Sequence, residues 1–222
     1  MKKFITLLII AISLFTLTAC GTPEEYIKNN MSEVRQNIFD GTSGSFYVTL
    51  SSGMRETPYL SDGIHNKNVE FGVIELELFD KLFSGEKLEY TAKIDDKEIS
   101  GVLERNPFTG SFMDDIEMIV DDNAKIELNI KYGNGELINL ENKSETWEIN
   151  YEKAIEIAIK KITEKLGELN EKPSGEGYLK IINNYTAGKK YFWYFNLKTA
   201  DLKSYSLVID TATGSILAMT NN

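Results

Sequence analysis

The apolar positions of this chain change their spacing several times. Phe4 to Thr18 is an almost unbroken apolar run. From Ile27 the apolar positions fall at Met31, Val34 and Ile38, steps of four, three and four residues, which predict a helix over 23–39. Thr22-Pro23-Glu24-Glu25 ahead of it has the form of a capping box with proline at the first helical position. Gly41 to Ser45 then interrupts the pattern.

Between Phe46 and about Leu140 the spacing becomes two. Phe46, Val48 and Leu50 alternate with polar residues, as do Ile74, Leu76 and Leu78, then Leu88, Tyr90, Ala92 and Ile94. The same holds for Ile99 to Leu103, Ile116 to Val120, and Ile126 to Tyr132. Turn chemistry at Asp95-Asp96, Asn106-Pro107, Asp121 to Asn123 and Gly133 to Gly135 separates these runs. One wet face per strand points to antiparallel pairing, in a sandwich or partly closed barrel of about six to eight strands.

A helical stripe returns at Tyr151, Ala154, Ile155, Ala158, Ile162 and Leu166, with Asn150 placed to cap its start and Gly167 its end. Short strands are expected at 178–185, 191–198, 203–210 and 215–219. The expected class is therefore α+β. It comprises an N-terminal helix and antiparallel β-sandwich or partly closed barrel, then a helix packed on an antiparallel sheet of about three to four strands. The expected organisation is a leader at 1–19, a helix and short linker at 20–45, a β-domain at 46–147 and an α+β domain at 148–222.

Composition removes several functions. The chain has 222 residues, 42% of them apolar and 26% charged, with only four prolines, so it is an ordered globular protein. Lys and Arg total 24 against 34 Asp and Glu, and a net charge of −10 argues against nucleic acid as a partner. A single His and a single Cys exclude a disulfide within the chain, a Cys/His zinc site and a paired-thiol redox motif. No cofactor is expected.

Two segments resemble known families. Lys2 and Lys3 followed by the apolar run form a secretion signal, and Leu17-Thr18-Ala19-Cys20 resembles the lipobox of bacterial lipoproteins. That resemblance implies cleavage before Cys20 and acylation of its thiol, which places the protein on the extracytoplasmic face of a cell membrane. The alternative is an uncleaved anchor with an incidental cysteine. Residues 148–220 resemble a PepSY domain. The points of similarity are Glu152-Lys-Ala154-Ile155-x-x-Ala158, the aromatic strand around Trp193, and Val208-Ile209-Asp210-x-x-Thr213-Gly214. This implies a non-enzymatic module of the kind found in propeptides of thermolysin-type proteases and in bacterial envelope proteins, with no catalytic residues. Residues 21–147 resemble no family.

Candidate chemistry is sparse. His65 lies in a polar loop with no visible nucleophile, and Asp210 to Gly214 reads as a turn. The Asp pairs at 95/96, 114/115 and 121/122 lack an alternating calcium-loop pattern; Asp115, Glu117, Asp121 and Asp122 are the first ligands to consider. Arg55, Glu56, Tyr59 and Asp62 share a loop that either presents a ligand site or is a structured connection in which Arg55 pairs with Glu56 or Asp62. In the strand Tyr191 to Phe195, alternation sends Tyr191, Trp193 and Phe195 toward the helix. It sends Phe192 and Tyr194 outward, beside Ile182 and Val208. That patch either binds a partner or docks on the β-domain. The resulting expectation is a lipid-anchored protein- or peptide-binding or regulatory module, with modulation of an envelope protease as one form. A solute-binding lipoprotein with its ligand near Arg55 is the alternative, and a carboxylate-based envelope hydrolase comes third.

Overall fold

The computed structural model describes residues 21–79, 85–184 and 190–221; Cys20, the lipobox and Tyr185 lie outside them. Along the chain come helix α1 (Pro23–Asn29) and strands β1 (Met31–Thr42), β2 (Phe46–Glu56), β3 (Asn68–Leu78) and β4 (Lys87–Ile94). They are followed by β5 (Lys97–Arg105), β6 (Phe112–Ile116), β7 (Ile126–Ile130) and β8 (Glu136–Asn142). Helix α2 (Tyr151–Glu168) precedes β9 (Glu176–Asn184), β10 (Lys190–Lys198), β11 (Ser204–Asp210) and β12 (Ile216–Asn221).

All twelve strands belong to one sheet, ordered β12-β11-β10-β9-β1-β2-β3-β6-β5-β4-β7-β8, and β8 returns to pair with β1. Strands β1 to β8 thus close into an antiparallel barrel. The alternation read from the sequence sets its polarity: Leu88, Tyr90, Ala92 and Ile94 of β4 are buried while Lys87, Glu89 and Lys93 face water. An apolar interior with a polar wall is the reverse of a membrane-spanning barrel. The interior is filled with side chains, among them Phe39, Phe46, Leu50, Leu76, Leu103 and Phe112, all fully buried. Among the described residues no helix is long and apolar enough to cross a membrane.

Closure depends on a glycine. Phe39 and Asp40 pair with Asn142 and Glu141, and a Cβ at Gly41 would come within 2.5 Å of the Asn139 carbonyl oxygen. Gly41, which reads in the sequence as a pattern breaker, is the bare position at which β8 meets β1. Gly41→Ala is expected to destabilise the protein by about 1–3 kcal/mol through overpacking against that backbone. Urea denaturation checks this, and a loss below about 0.5 kcal/mol would show that closure does not need the bare position.

Strands β9 to β12 continue the sheet beyond the barrel, joined through a parallel pairing of β1 with β9 at Met31 to Val34. Helix α2 lies across one face of this extension. Asn150 caps it by accepting from the Lys153 N–H, and Ala154, Ala158, Ile159, Ile162 and Leu166 are buried. Trp193, Phe195, Leu197, Leu207 and Ile209 meet them from the sheet. The helix passes Gly167 and ends at Glu168; Asn170 takes the left-handed turn instead, with φ of 54°.

The expected α+β, PepSY-like class does not hold. Strand makes up 52% of the described residues, with two α-helices among them, and the architecture is a closed eight-stranded barrel with extra strands. The source of the difference is β1. The helix expected over 23–39 stops at Asn29, although its capping box forms as predicted, Thr22 accepting from the Glu25 N–H and Glu25 from the Thr22 N–H. Residues 31–42 are a strand that pairs with β2, β8 and β9, and its register slips between Arg35 and Asn37. Both faces are covered, so Met31 and Ile38 join the core under α2 while Phe39 enters the barrel. Period two is lost and the steps of three and four imitate a helix. The strand expected over 116–120 also shifts: β6 ends at Ile116.

Candidate functional site

Hydrogen-bonded neighbours in a sheet share a face. One row runs from Val69 through Arg55, Glu33, Tyr178, Asn196 and Ser206 to Thr220, from β3 to β12. The outer wall of the barrel and the open face of the extension are therefore one surface. It carries both candidate regions read from the sequence, and the seam between β1 and β9 lies between them.

On the barrel side, Arg55 does not pair with Glu56 or Asp62. Its guanidinium binds Asp115 at 2.7 Å and lies 4.6 Å from the Phe71 ring centre and 5.4 Å from that of Tyr59. These residues, with Glu56, Glu70 and Glu117, line an open groove of about 590 Å³. Asp62 stands apart from this groove and accepts from the Ile64 N–H at 2.9 Å. Asp122 accepts from Asn37, and among the described residues no three His, Cys, Asp or Glu side chains converge as metal ligands.

At the seam, Glu33 is 2% exposed yet charged. Burial opposes its ionisation, but Arg35 at 2.8 Å, Lys180 at 3.3 Å and the Tyr59 hydroxyl hold its carboxyl below the usual range. Burial, together with the Glu33 charge, pushes the Tyr59 hydroxyl well above its ordinary value, so it remains a donor. Tyr59 also accepts from Lys180 at 2.8 Å and stands edge-on to Tyr178. The loop from Thr57 to Asn66 thus lies across the seam as a strap.

On the extension side, Phe192 pairs across the sheet with Ile182, and Tyr194 with Val208. Helix α2 covers the opposite face, and the barrel does not cover this one: Ile182 is 38% exposed and the other three are half-buried. Docking of this patch on the β-domain, one of the two sequence readings, is not what the fold does. Lys190 stands 5.4 Å from the Phe192 ring centre, and Tyr194 and Asn196 bond to Ser206. Ile182 also borders a groove of about 310 Å³ against the barrel wall, with Arg35, Ser51 and Val73.

No family model, curated protein or solved structure matches this chain.

Two clusters escaped the sequence reading. Asp40 accepts from the Tyr47 hydroxyl at 2.9 Å and the Tyr191 hydroxyl at 2.5 Å, and the two hydroxyls are 2.6 Å apart. This triad lies beside a cleft of about 670 Å³ lined by Lys143, Trp147 and Lys190, where barrel meets extension. The second lies under the strap, where His65 Nδ1 is 3.2 Å from the hydroxyl of buried Ser32, near Glu56 and Glu176. The residues come from positions 32, 40, 47, 56, 176 and 191, and no local spacing links them. The available signal was acids beside apolar residues, Glu33 in Met-Ser-Glu-Val and Asp40 after Ile-Phe; the helix expected over 23–39 contained the first and stopped before the second.

Proposed function

We propose that this chain is a membrane-anchored, extracytoplasmic binding protein that recognises a protein or peptide over the open face of β9 to β12. The observation that carries the reading is the part-exposed patch of Phe192, Tyr194, Ile182 and Val208 on β9 to β11, whose other face is packed under α2. Half-exposed aromatic and aliphatic side chains contiguous on one face mark an interaction site. The anchor in this reading is a lipid on Cys20, drawn from the lipobox. Acyl chains would confine the search for a partner to the membrane surface, since a chain of net charge −10 gains nothing from anionic headgroups. Recognition needs no chemical step, and none is proposed.

The barrel interior is packed with side chains, whereas larger or emptier barrels hold small ligands inside. Solute capture would have to use the groove at Arg55. There Asp115, Phe71 and Tyr59 are already engaged by this chain's own guanidinium.

In-cell crosslinking followed by mass spectrometry tests the reading, comparing the parent with Phe192→Ser/Tyr194→Ser. A captured envelope protein that is lost in the variant is the expected result, with the variant's melting temperature near that of the parent because both side chains are half-exposed. Capture that ignores the substitutions would remove this face from consideration. A rise in melting temperature with a small solute, lost on Arg55→Ala, would favour the groove instead.

A further inference from the structure

Beneath the strap two carboxyl groups meet. Glu56 closes β2 and is 1% exposed; Glu176 opens β9 and is fully buried. Each holds the strap by one oxygen: the Asn66 N–H donates to Glu56 Oε2 at 2.9 Å, and the Gly63 N–H donates to Glu176 Oε1 at 2.6 Å. Their remaining oxygens, Glu56 Oε1 and Glu176 Oε2, are buried and receive no donor. The two carboxyls and the Ser32 hydroxyl are near neighbours beneath the strap, close enough for each to shift the charge state of the others.

Buried acceptors without donors are costly, and two carboxylates in contact do not both ionise. One proton between them satisfies both free oxygens as a short charged hydrogen bond. Burial raises the Glu56 carboxyl above its ordinary range, and the neighbouring Glu176 charge adds to this against the pull of the Asn66 N–H. Glu176 is opposed by burial, but Ser32, Tyr178, the Gly63 N–H and Glu56 together lower it. The other groups facing the pair are His65, on the far side of Ser32, and Lys198, the sheet neighbour of Glu176, whose Nζ donates to the Ser61 carbonyl at 2.7 Å.

We propose that Glu56 and Glu176 share one proton as a latch on the strap from Thr57 to Asn66, and that its loss as pH rises releases the strap from the seam. Glu56, with its raised value, favours the closed strap at low pH and withdraws that support as pH rises through its value in the closed protein. Glu176, with its lowered value, supports closure above the ordinary carboxyl range and withdraws as pH falls through its own value. Closure is strongest between the two, around and somewhat above the ordinary Glu value of 4.5. Gly63 makes the closed position available: its φ is +86°, and a Cβ there would come within 2.7 Å of the Ala200 backbone. Opening would lift Tyr59 from Glu33 and Lys180 and uncover Tyr178. The latch stands on these contacts and is independent of the binding reading.

Amide exchange of Gly63 and Asn66 in the full chain tests it, corrected for the intrinsic pH dependence of exchange and read from pH 5 to 8. The opening constant is expected to rise by up to about tenfold per pH unit from the ordinary Glu value to the raised Glu56 value of the closed protein, and to level off above it. In Glu56→Gln the amide donates to Glu176 at every pH, so protection should persist at pH 8 and lose its pH dependence. Glu176→Gln has the same expected outcome and serves if the first variant does not fold. His65→Gln should keep the parent's dependence. Flat protection in the parent, an unchanged slope in both Gln variants, or a slope abolished by His65→Gln would each overturn the latch. So would closure restored at pH 8 by millimolar calcium chloride, which would assign the facing oxygens to a cation.

Discussion

Trp193→Ala is expected to cost about 3–5 kcal/mol, a large share of the roughly 5–15 kcal/mol by which a domain of this kind is stable. Trp193 is fully buried at the centre of β10, between the sheet and α2. Its indole N–H donates to the Ile149 carbonyl at 2.7 Å, one residue before the cap of α2, and Trp147 packs edge-on at 5.1 Å. Truncation therefore leaves a cavity under the helix and an unpaired carbonyl at the segment that leads into it. Trp193→Phe keeps most of the volume and loses the hydrogen bond, so a loss of about 1–2 kcal/mol is expected. Urea denaturation with tyrosine absorbance as probe measures both. Because β1 belongs to the barrel and to the extension, one transition is expected in the parent; a loss under about 1 kcal/mol on truncation would mean that α2 is not seated on this sheet.

The second large effect is expected at Asp40. Two buried hydroxyls, from Tyr47 of β2 and Tyr191 of β10, donate to one of its oxygens, and Lys143 approaches the other at 3.3 Å. Burial, then the hydrogen bonds to Asp40 and Tyr47, pushes the Tyr191 hydroxyl far above its ordinary value, so it stays a donor at any physiological pH. Asp40→Ala removes the acceptor that both hydroxyls share at the junction of barrel and extension, and breaking such a buried charged network by removing one partner costs about 3–5 kcal/mol. Asp40→Asn retains an acceptor and should cost about half as much or less, while Asp40→Ala combined with Tyr47→Phe and Tyr191→Phe should recover part of the loss, because replacing all partners can be nearly neutral. Chemical denaturation of the three variants reads this order. Equal losses in all three would show that packing, and not the shared acceptor, holds the junction.

Local regularities were legible where one face of an element is wet. The alternation in β4 and β7 appears unchanged in their burial, Leu88 to Ile94 and Ile126 to Ile130. The stripe of α2 and the cap at Asn150 also follow from spacing and residue type. Parity in β10 correctly sends Tyr191, Trp193, Phe195 and Leu197 to one side and Phe192 and Tyr194 to the other, because a strand alternates whatever packs on it. The same local rules failed in β1. Glu33, Asn37 and Asp40 are polar residues in a strand covered on both faces, and for each a residue distant in sequence supplies a partner: Lys180, Val120 and Tyr191 respectively.

The residues alone thus determined the period of most elements, the face each strand turns inward, the charge that turns away nucleic acid and the lack of a second thiol or imidazole. These properties depend on side-chain chemistry within a few positions of the chain. Only the tertiary structure decided that residues 31–42 are a strand, that the barrel closes at Gly41, that the extension joins the barrel as one sheet, and that Glu56 meets Glu176 beneath a strap. Each of those rests on contacts between segments dozens of residues apart, and the free energy of such contacts overrides the weaker preference of a spacing of three and four for a helix.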